Sequence, residues 1–260
     1  MTLRGIYISL LVGTAWALAG WLPAVLADDE AGQAPIAIIG AHLEGRLDND
    51  PASGYNRLVK YLLPIDQSVA VFQRYPLVRA LRQFEDTKRS CLFPASARAA
   101  QNLIGIPAED LVESSFVDFV SSHVMVKPGG PFIADKTDIY GRTIAIQRGV
   151  EMVVLKDDYD RFDIIRTPDD QTALKMLQAG RIDGMYGWNP DALIIATKYG
   201  IELPDFNPDF ILFQTTTHFV CKKGIGAERL LNLINGRIAI ARRTGQLKEM
   251  LGPFARLEKE

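Results

Sequence analysis

Two arginines stand just after apolar runs that predict β-strands, at points where a guanidinium could bind an anion. Arg148 follows the run 143–146, and Arg98 follows the run 90–93. In open α/β sheets ligands sit beyond the carboxyl ends of the strands, where free N–H groups of the next helix favour anions. A guanidinium adds a planar pair of donors that matches a carboxylate. We therefore predict a ligand site formed by Ser96, Arg98, Gln147, Arg148 and Gly149.

These positions also have plain structural interpretations. The segment 147–151 could be an ordinary turn, in which Gly149 only permits the backbone conformation. Long cationic side chains usually point into water, so Arg98 and Arg148 could both be solvated. The sequence leaves both alternatives open.

Three further loops follow predicted strands and are predicted to contribute to the same site. The residues concerned are Glu44, Arg74, Tyr75, Trp188 and Asn189. The Trp188 indole could stack on a planar or apolar ligand, or it could pack beneath its own loop. Arg74 could be solvated and Tyr75 could belong to the core, so each of these assignments has a structural alternative.

The sequence carries no recognisable catalytic or metal-binding motif. It has no Gly-x-Ser-x-Gly, no His-Glu-x-x-His, no Walker loop and no dinucleotide Gly-x-Gly-x-x-Gly after a strand. Its three histidines, His42, His123 and His218, have no partner at metal-ligand spacing. We therefore predict no catalytic residue, no metal and no cofactor, and we expect binding rather than catalysis.

Strand and helix patterns alternate along the first half of the chain and position these loops. Apolar runs at 36–39, 69–72 and 90–93 predict strands, and amphipathic runs at 54–63 and 77–84 predict helices between them. This alternation is typical of an α/β sheet.

The second half of the chain repeats the alternation. Strands are predicted at 143–146 and 181–187. Between them, Thr167 and Pro168 are predicted to be the N-cap and the first residue of a helix. Apolar residues at helical spacing over 230–241 predict a long final helix.

The composition describes a globular chain without a strong charge. The 260 residues are 48% apolar, and 29 Lys and Arg stand against 31 Asp and Glu, a net charge of −2. This balance does not favour nucleic acid or an anionic membrane surface as a partner, so we expect membrane contact only through another protein. Cys91 and Cys221 are too few for a disulfide framework or a cysteine-based metal cluster, although they could form one bridge.

The first 27 residues predict a secretory signal. Arg4 is their only charge, an apolar stretch follows it, and Ala27 offers a cleavage point before an acidic start. An uncleaved membrane anchor is the alternative, because the stretch 5–27 could span a bilayer. We expect export, cleavage after Ala27 and a periplasmic location. No second apolar run of membrane length follows.

Several phrases, taken in order and spacing, resemble a known family. They are Gly54-Tyr55 at the start of the first helix, and the segments 140–149, 173–183 and 233–247. The chain resembles bacterial extracytoplasmic solute-binding proteins with the type II periplasmic binding fold, in particular the polar amino-acid binding group, family 3. The resemblance implies an α/β fold of two lobes joined by two hinge-crossing strands.

The resemblance also implies where the lobes begin and end. Lobe one is expected at 33–124 plus 218–260, and lobe two at 125–217. The two crossings are expected near 124–126 and 214–217.

The sequence departs from this family where its members hold an amino acid. The amino-acid binders of the family carry an acidic residue where this chain has Trp188 or Asn189. They carry a Ser or Thr where this chain has Val150. We therefore expect a small polar ligand, anionic or aromatic, rather than a plain α-amino acid. The nearby Asp191 is expected to cap the following helix.

We expect a monomeric solute-binding protein that closes on its ligand and delivers it to an ABC permease. Two alternatives remain open. One is an accessory or receptor protein that docks on a periplasmic redox enzyme or a signalling system. The other is a dehydratase-type lyase acting on a cyclic carboxylate, in which Glu44 would be the general acid and Arg98 or Arg148 would hold the carboxylate.

Overall fold

The computed structural model of the chain describes residues 34–63, 66–150, 153–224 and 226–258. The predicted signal and its cleavage point at Ala27 lie outside the described residues. No helix in the described part is long and apolar enough to cross a bilayer.

The described residues form eleven strands and seven α-helices. The strands are β1 Ile36–Ala41, β2 Ala70–Tyr75, β3 Ser90–Ala95, β4 Leu111–Glu113, β5 Phe119–Val126, β6 Thr143–Gln147, β7 Asp163–Thr167, β8 Gly184–Asn189, β9 Asp205–Phe206, β10 Phe213–Thr216 and β11 His218–Lys222. The α-helices are α1 Gly54–Leu62, α2 Leu77–Asp86, α3 Ala97–Ile104, α4 Asp170–Gln178, α5 Asp191–Tyr199, α6 Ala227–Arg243 and α7 Gln246–Leu251.

The first sheet has the strand order β2-β1-β3-β11-β4, with β1 parallel to both of its neighbours. Helices α1, α6 and α7 cover one face, where Ile36 and Ile38 point. Helices α2 and α3 cover the other face, which receives Ile39 and Ala41. Because both faces are covered, β1 is apolar throughout, as the unbroken run in the sequence predicted.

The second sheet has the strand order β10-β5-β8-β6-β7, and β9 pairs with β5 beside it. Helices α4 and α5 pack on one face, where Leu174 and Ile195 meet Ala145 of β6. On the other face Ile144 and Ile146 of the same strand join a separate apolar cluster. The parallel pairs β6–β7 and β6–β8 bring the carboxyl ends of these strands to one edge.

Two chain segments connect the sheets. Residues 114–118 lead from β4 into β5, and Thr217 lies between β10 and β11. The two segments are hydrogen-bonded to each other, since Val117 N–H donates to Thr217 O at 2.8 Å and Thr217 N–H donates to Asp118 O at 2.9 Å. The crossing expected near 124–126 falls inside β5, which pairs within the second sheet, whereas the crossing expected near 214–217 includes Thr217. The lobe boundaries themselves stay a prediction.

A disulfide joins Cys91 of β3 to Cys221 of β11, with the two Cα atoms 3.9 Å apart. The two residues are paired directly across antiparallel strands, and both are buried. The bridge therefore links β11, in the C-terminal part of the chain, to β3 at the centre of the first sheet. The sequence had left open whether the two cysteines form a disulfide.

One predicted helix start is wrong. Thr167 is the last residue of β7 and does not cap a helix. Helix α4 begins two residues beyond Pro168, and the Asp169 side chain caps it by accepting from Thr172 N–H at 2.7 Å. An aspartate is as good a cap as a threonine, and the strand ladder holds Thr167 in extended backbone.

Candidate functional site

A cavity of about 200 Å³ lies between the two sheets and takes walls from both. The first sheet contributes residues from the loop after β1, from the end of β3 and from helices α1 to α3. The second sheet contributes the ends of β6, β8 and β10 and the first residues of α4 and α5. The cavity therefore lies where strand ends and helix starts of both sheets converge, as ligand sites in α/β folds do.

A buried arginine is the centre of a charged network beside this cavity. Arg46, 2% exposed, follows β1. Its Nη1 donates to Asp191 Oδ1 at 2.6 Å, and its Nη2 donates to Asp118, which is completely buried. The guanidinium also lies over the Tyr55 ring, 3.8 Å from the ring centre. Two carboxylates and one aromatic face thus occupy this guanidinium.

The network reaches both connections between the sheets. Tyr55 Oη donates to Asp118 Oδ1 at 2.8 Å and lies 3.3 Å from Thr217 Oγ1. Burial raises the pKa of Tyr55 well above its usual value, and the charges of Asp118 and Asp191 raise it further. Burial acts to lower the pKa of Arg46, but the Asp118 and Asp191 charges outweigh it and raise that pKa. Arg46 is therefore a permanent cation here.

Ion pairs cross from the loop after β1 to helix α5 of the second sheet. Besides Arg46 and Asp191, Lys198 Nζ donates to Asp48 Oδ2 at 2.6 Å and to Glu44 Oε1 at 3.3 Å. Burial acts to raise the pKa of Asp48, but hydrogen bonds, chiefly from Lys198, outweigh it and hold the pKa at about 2. These ion pairs connect the two sheets along one side of the cavity.

Asp170 is the acidic residue of the cavity wall that lies outside this network. It is the first residue of α4, it is partly buried, and it lines the cavity. None of the hydrogen bonds and ion pairs found among the described residues involves its carboxylate. Burial raises its pKa to about 7, and the negative charges of Asp191 and Asp169 add to the rise.

Aromatic side chains of the second sheet form the opposite wall. Tyr186 and Trp188 are perpendicular neighbours on β8, with ring centres 6.1 Å apart. Trp188 is likewise perpendicular to Phe213, at 6.0 Å. All three residues line the cavity, so a bound molecule would meet ring faces as well as ring edges.

Four of the residues predicted from sequence line the cavity: Ser96, Gln147, Gly149 and Trp188. Ser96 Oγ caps α3 by accepting from Ala99 N–H at 3.2 Å, and it also accepts from Thr215 Oγ1 at 2.9 Å. Gly149 has a φ of +84°, and an added Cβ would lie 2.6 Å from the Cγ2 atom of Val78 in helix α2, which packs on the first sheet. A glycine is therefore required where the two sheets approach closely.

The other six predicted residues do not belong to the cavity wall in the described part of the chain: Glu44, Arg74, Tyr75, Arg98, Arg148 and Asn189. Arg98 and Arg148 are exposed, and the Arg98 guanidinium lies over the Phe213 ring at 5.3 Å. Arg74 Nη2 donates to Asn49 Oδ1 at 2.6 Å and thereby supports the loop after β1.

The remaining three of these residues also have partners within the protein. Tyr75 Oη donates to Gln73, and Asn189 pairs with Ser121 at the end of β8. Glu44 accepts hydrogen bonds from Lys198 and Tyr199. Ligand contact by any of the six stays a prediction.

The sequence did not single out Arg46, Asp118 or Asp170. Arg46 bonds to residues 72 and 145 positions away, a separation over which no periodicity or spacing connects them. The expectation that Asp191 caps its helix is wrong: the N-cap position of α5 is Pro190, and the Asp191 carboxylate binds Arg46 instead. The one available signal was position, since Arg46 immediately follows a segment predicted to face the cleft.

The two histidines near the predicted crossings hold structural hydrogen bonds. Arg256 Nη1 donates to Ser121 Oγ at 2.8 Å, and Ser121 Oγ lies 2.8 Å from His123 Nε2. His123 Nδ1 lies 3.1 Å from Asn207 O. Burial lowers the pKa of His123. His218 lies between Thr216 Oγ1 and Ser114 O, and the described residues include no group of three potential metal ligands.

Comparison with known proteins finds similarity at the level of structure. No family model matches the sequence, and no curated protein matches it. A histidine kinase sensor domain with similarity to periplasmic binding proteins has a TM-score of 0.64 at 16% identity, over 86% of this chain and 98% of the other. The GluR0 ligand-binding core from Nostoc punctiforme, in complex with L-glutamate, has a TM-score of 0.63 at 15% identity, over 83% and 97%.

A third similar structure concerns glutathione import via GshT and the cystine ABC importer TcyBC of Streptococcus mutans. It has a TM-score of 0.66 at 13% identity and covers 88% of this chain and 99% of the other. These likenesses confirm the predicted fold class: the chain has the two-lobed α/β fold of periplasmic binding proteins.

Proposed function

We propose that this chain binds a small solute in the cavity between its two sheets. The observation that carries the proposal is that both sheets contribute walls to one cavity, while the chain connects them through 114–118 and Thr217. A ligand that touches both walls gains contacts in the closed arrangement that an open one lacks, so it shifts the population toward closure. We place the hinge of this motion at the two connecting segments.

The cavity wall supports an aromatic or apolar ligand more than an anionic one. Tyr186, Trp188 and Phe213 line the cavity together with Tyr55, whose ring is covered by Arg46. The one arginine that lines it, in the described part of the chain, is already held by two carboxylates. Binding an anion there would require Arg46 to leave a buried partner, which costs free energy.

A role in uptake agrees with the predicted export signal and with the disulfide. Disulfides persist in oxidising compartments outside the cytoplasm, and the Cys91–Cys221 bridge is buried in the sheet. We infer an extracytoplasmic, monomeric protein that hands its solute to an ABC permease.

A sensory role is the second candidate. Two of the similar structures are a histidine kinase sensor domain and the GluR0 ligand-binding core in complex with L-glutamate. A sensory role of this chain would use the same ligand-driven closure as uptake. A binding role, rather than a catalytic one, is common to both candidates.

A thermal-shift screen of the purified chain against amino acids, carboxylates, aromatic acids and amines tests the proposal. A ligand selective for the folded state raises Tm, and the rise grows with the logarithm of the ligand concentration divided by Kd. Trp188→Ala should abolish the response to any solute found, whereas Phe132→Ala, which removes a ring that is 72% exposed and outside the cavity wall, should retain it. Equal responses from the two variants would contradict binding in this cavity.

A further inference from the structure

The charges that line the cavity leave one carboxylate uncompensated. In the described part of the chain the charged residues of the wall are Arg46, Asp170 and Asp191. Arg46 and Asp191 neutralise each other at 2.6 Å, and the second donor group of Arg46 is taken by the buried Asp118. Asp118 and Asp191 therefore share the one guanidinium, and Asp170 has no bond to it.

The two charged residues that act on Asp170 are both negative. Asp191 of α5 and Asp169 at the cap of α4 are the charges that act on it, and both disfavour its ionised form. On β8 the neighbour of Asp170 is the Tyr186 phenol. Burial raises the pKa of this phenol to about 12, and the negative charge of Asp170 adds to the rise. Among the described residues no donor or cation reaches the Asp170 carboxylate, so a cation entering the cavity would supply the missing partner.

The aromatic wall suits such a cation. Ammonium groups are attracted to the faces of Trp and Tyr rings, most strongly where water is excluded. Tyr186, Trp188 and Phe213 meet at right angles and form a corner of the cavity. The Phe213 ring already carries the Arg98 guanidinium at 5.3 Å, an interaction of the same kind within the chain itself.

The cavity volume limits the body of the ligand. A cavity of about 150 Å³ holds a benzene ring, and this one measures about 200 Å³. A ligand carboxylate would meet Asp170 and Asp191 with no free cation in the described wall, which disfavours amino acids and aromatic acids.

We propose that the cavity binds an organic ammonium ion with an apolar body about the size of a benzene ring and no carboxylate, paired with Asp170 and held against Trp188. This inference rests on the proposed binding of a solute at the same site and names the class of that solute. It differs from the anionic ligand that the two exposed arginines indicated.

Four probes that share a benzene ring and carry a cationic, neutral or anionic group test the ligand class: benzylamine, benzyltrimethylammonium, benzyl alcohol and benzoate. By calorimetry at about pH 8, where Asp170 is ionised, the two ammonium probes should bind, and the neutral alcohol and benzoate should bind far more weakly or not at all. Asp170→Asn should weaken ammonium binding about 30-fold or more, as expected when one partner of a buried charge pair is removed. Asp169→Asn removes the adjacent charge outside the cavity wall, retains helix capping, and should bind both ammonium probes normally.

The pH dependence gives a second readout. Benzyltrimethylammonium keeps its charge at every pH, so its binding should weaken from about pH 8 to about pH 6 as Asp170 takes up a proton. Asp170→Asn should remove this dependence even if the substitution changes Tm. Binding of benzoate or of phenylalanine in place of the ammonium probes, or equal ammonium affinity in Asp170→Asn, would overturn the ammonium class while leaving solute binding intact. No response to these probes or to the wider solute screen would overturn both proposals.

Discussion

At the scale of single residues, Arg46 is the centre of the buried ionic network. Four groups of this network are buried: the Arg46 guanidinium, the Asp118 and Asp191 carboxylates and the Tyr55 side chain. Arg46 donates hydrogen bonds to both carboxylates and lies over the Tyr55 ring, and the Tyr55 hydroxyl donates to Asp118. Buried charges are tolerated only when they are paired and hydrogen-bonded, so removing one member leaves the others with a desolvation cost. The network is therefore a set of residues that must be kept or replaced together.

Arg46→Met should lower the free energy of unfolding by about 3 to 5 kcal/mol, because it leaves the completely buried Asp118 without its cation. Urea denaturation monitored by circular dichroism measures the change. Arg181→Met, at an exposed arginine, is the matched control and should change stability little. Arg46→Met with wild-type stability would show that the buried network contributes nothing.

His123 should make stability depend on acidity. Burial lowers its pKa from the usual 6.5, so below that pH the unfolded chain takes up a proton that the folded chain still refuses. The free energy of unfolding therefore falls as the pH decreases through this range. The stability difference between wild type and His123→Asn should narrow from about pH 7 to about pH 5 in urea titrations. A difference that stays constant with pH would contradict this assignment.

At the scale of elements, strand β11 completes the first sheet after the chain returns from the second sheet. β11 inserts antiparallel between β3 and β4, and it is held there by ladder hydrogen bonds and by the disulfide. The sequence separation of the two cysteines is 130 residues, so in the unfolded chain the bridge closes a loop of half of the 260 residues.

Replacing both Cys91 and Cys221 by Ala should lower the free energy of unfolding by about 2 to 5 kcal/mol, as for other native disulfides. Guanidinium denaturation of the wild type and the double variant measures the loss. In the presence of a strong reductant, the free energy of unfolding of the wild type should approach that of the double variant. Equal stabilities under non-reducing conditions would mean that the bridge does not constrain the unfolded chain.

The elements themselves were largely predictable, with one informative exception. The predicted strands at 36–39 and 143–146 lie within β1 and β6, and the helix predicted at 77–84 lies within α2. Strand β5 was missed as an element of the second sheet. Its central Ser-Ser-His run breaks the apolar pattern, yet all three side chains are buried, because hydrogen bonds such as the Ser121–His123 pair satisfy them.

At the scale of the whole molecule, two sheets enclose one cavity, and ion pairs join them along one side of it. Arg46 to Asp191 and Lys198 to Asp48 both cross from the loop after β1 to α5. In the closure that we propose, these pairs and the cavity walls meet only in the closed arrangement, so we expect the pairs to stabilise it.

The double variant Asp191→Asn/Lys198→Met removes three ion pairs between the loop after β1 and α5, which are Arg46–Asp191, Lys198–Asp48 and Lys198–Glu44. It keeps Arg46 bound to Asp118. It should shift the protein toward the open arrangement and increase the radius of gyration in small-angle X-ray scattering. Lys156→Met, which removes an exposed lysine, should leave the scattering unchanged. An unaltered radius of gyration in the double variant would show that other contacts hold the sheets together.

The sequence by itself determined the α/β class, because burial of a strand on both faces and of a helix on one face leaves periodic patterns within a few neighbouring residues. The two-lobed arrangement was expected only from the resemblance to a known family. It also indicated that Ser96, Gln147, Gly149 and Trp188 follow strands and so face one edge. Only the tertiary structure decided which charges meet. The ionic bonds of Arg46 depend on distance in space, and its partners are 72 and 145 positions away along the chain. Asp170 could be recognised as the unpaired acid of the cavity only once those partners were known.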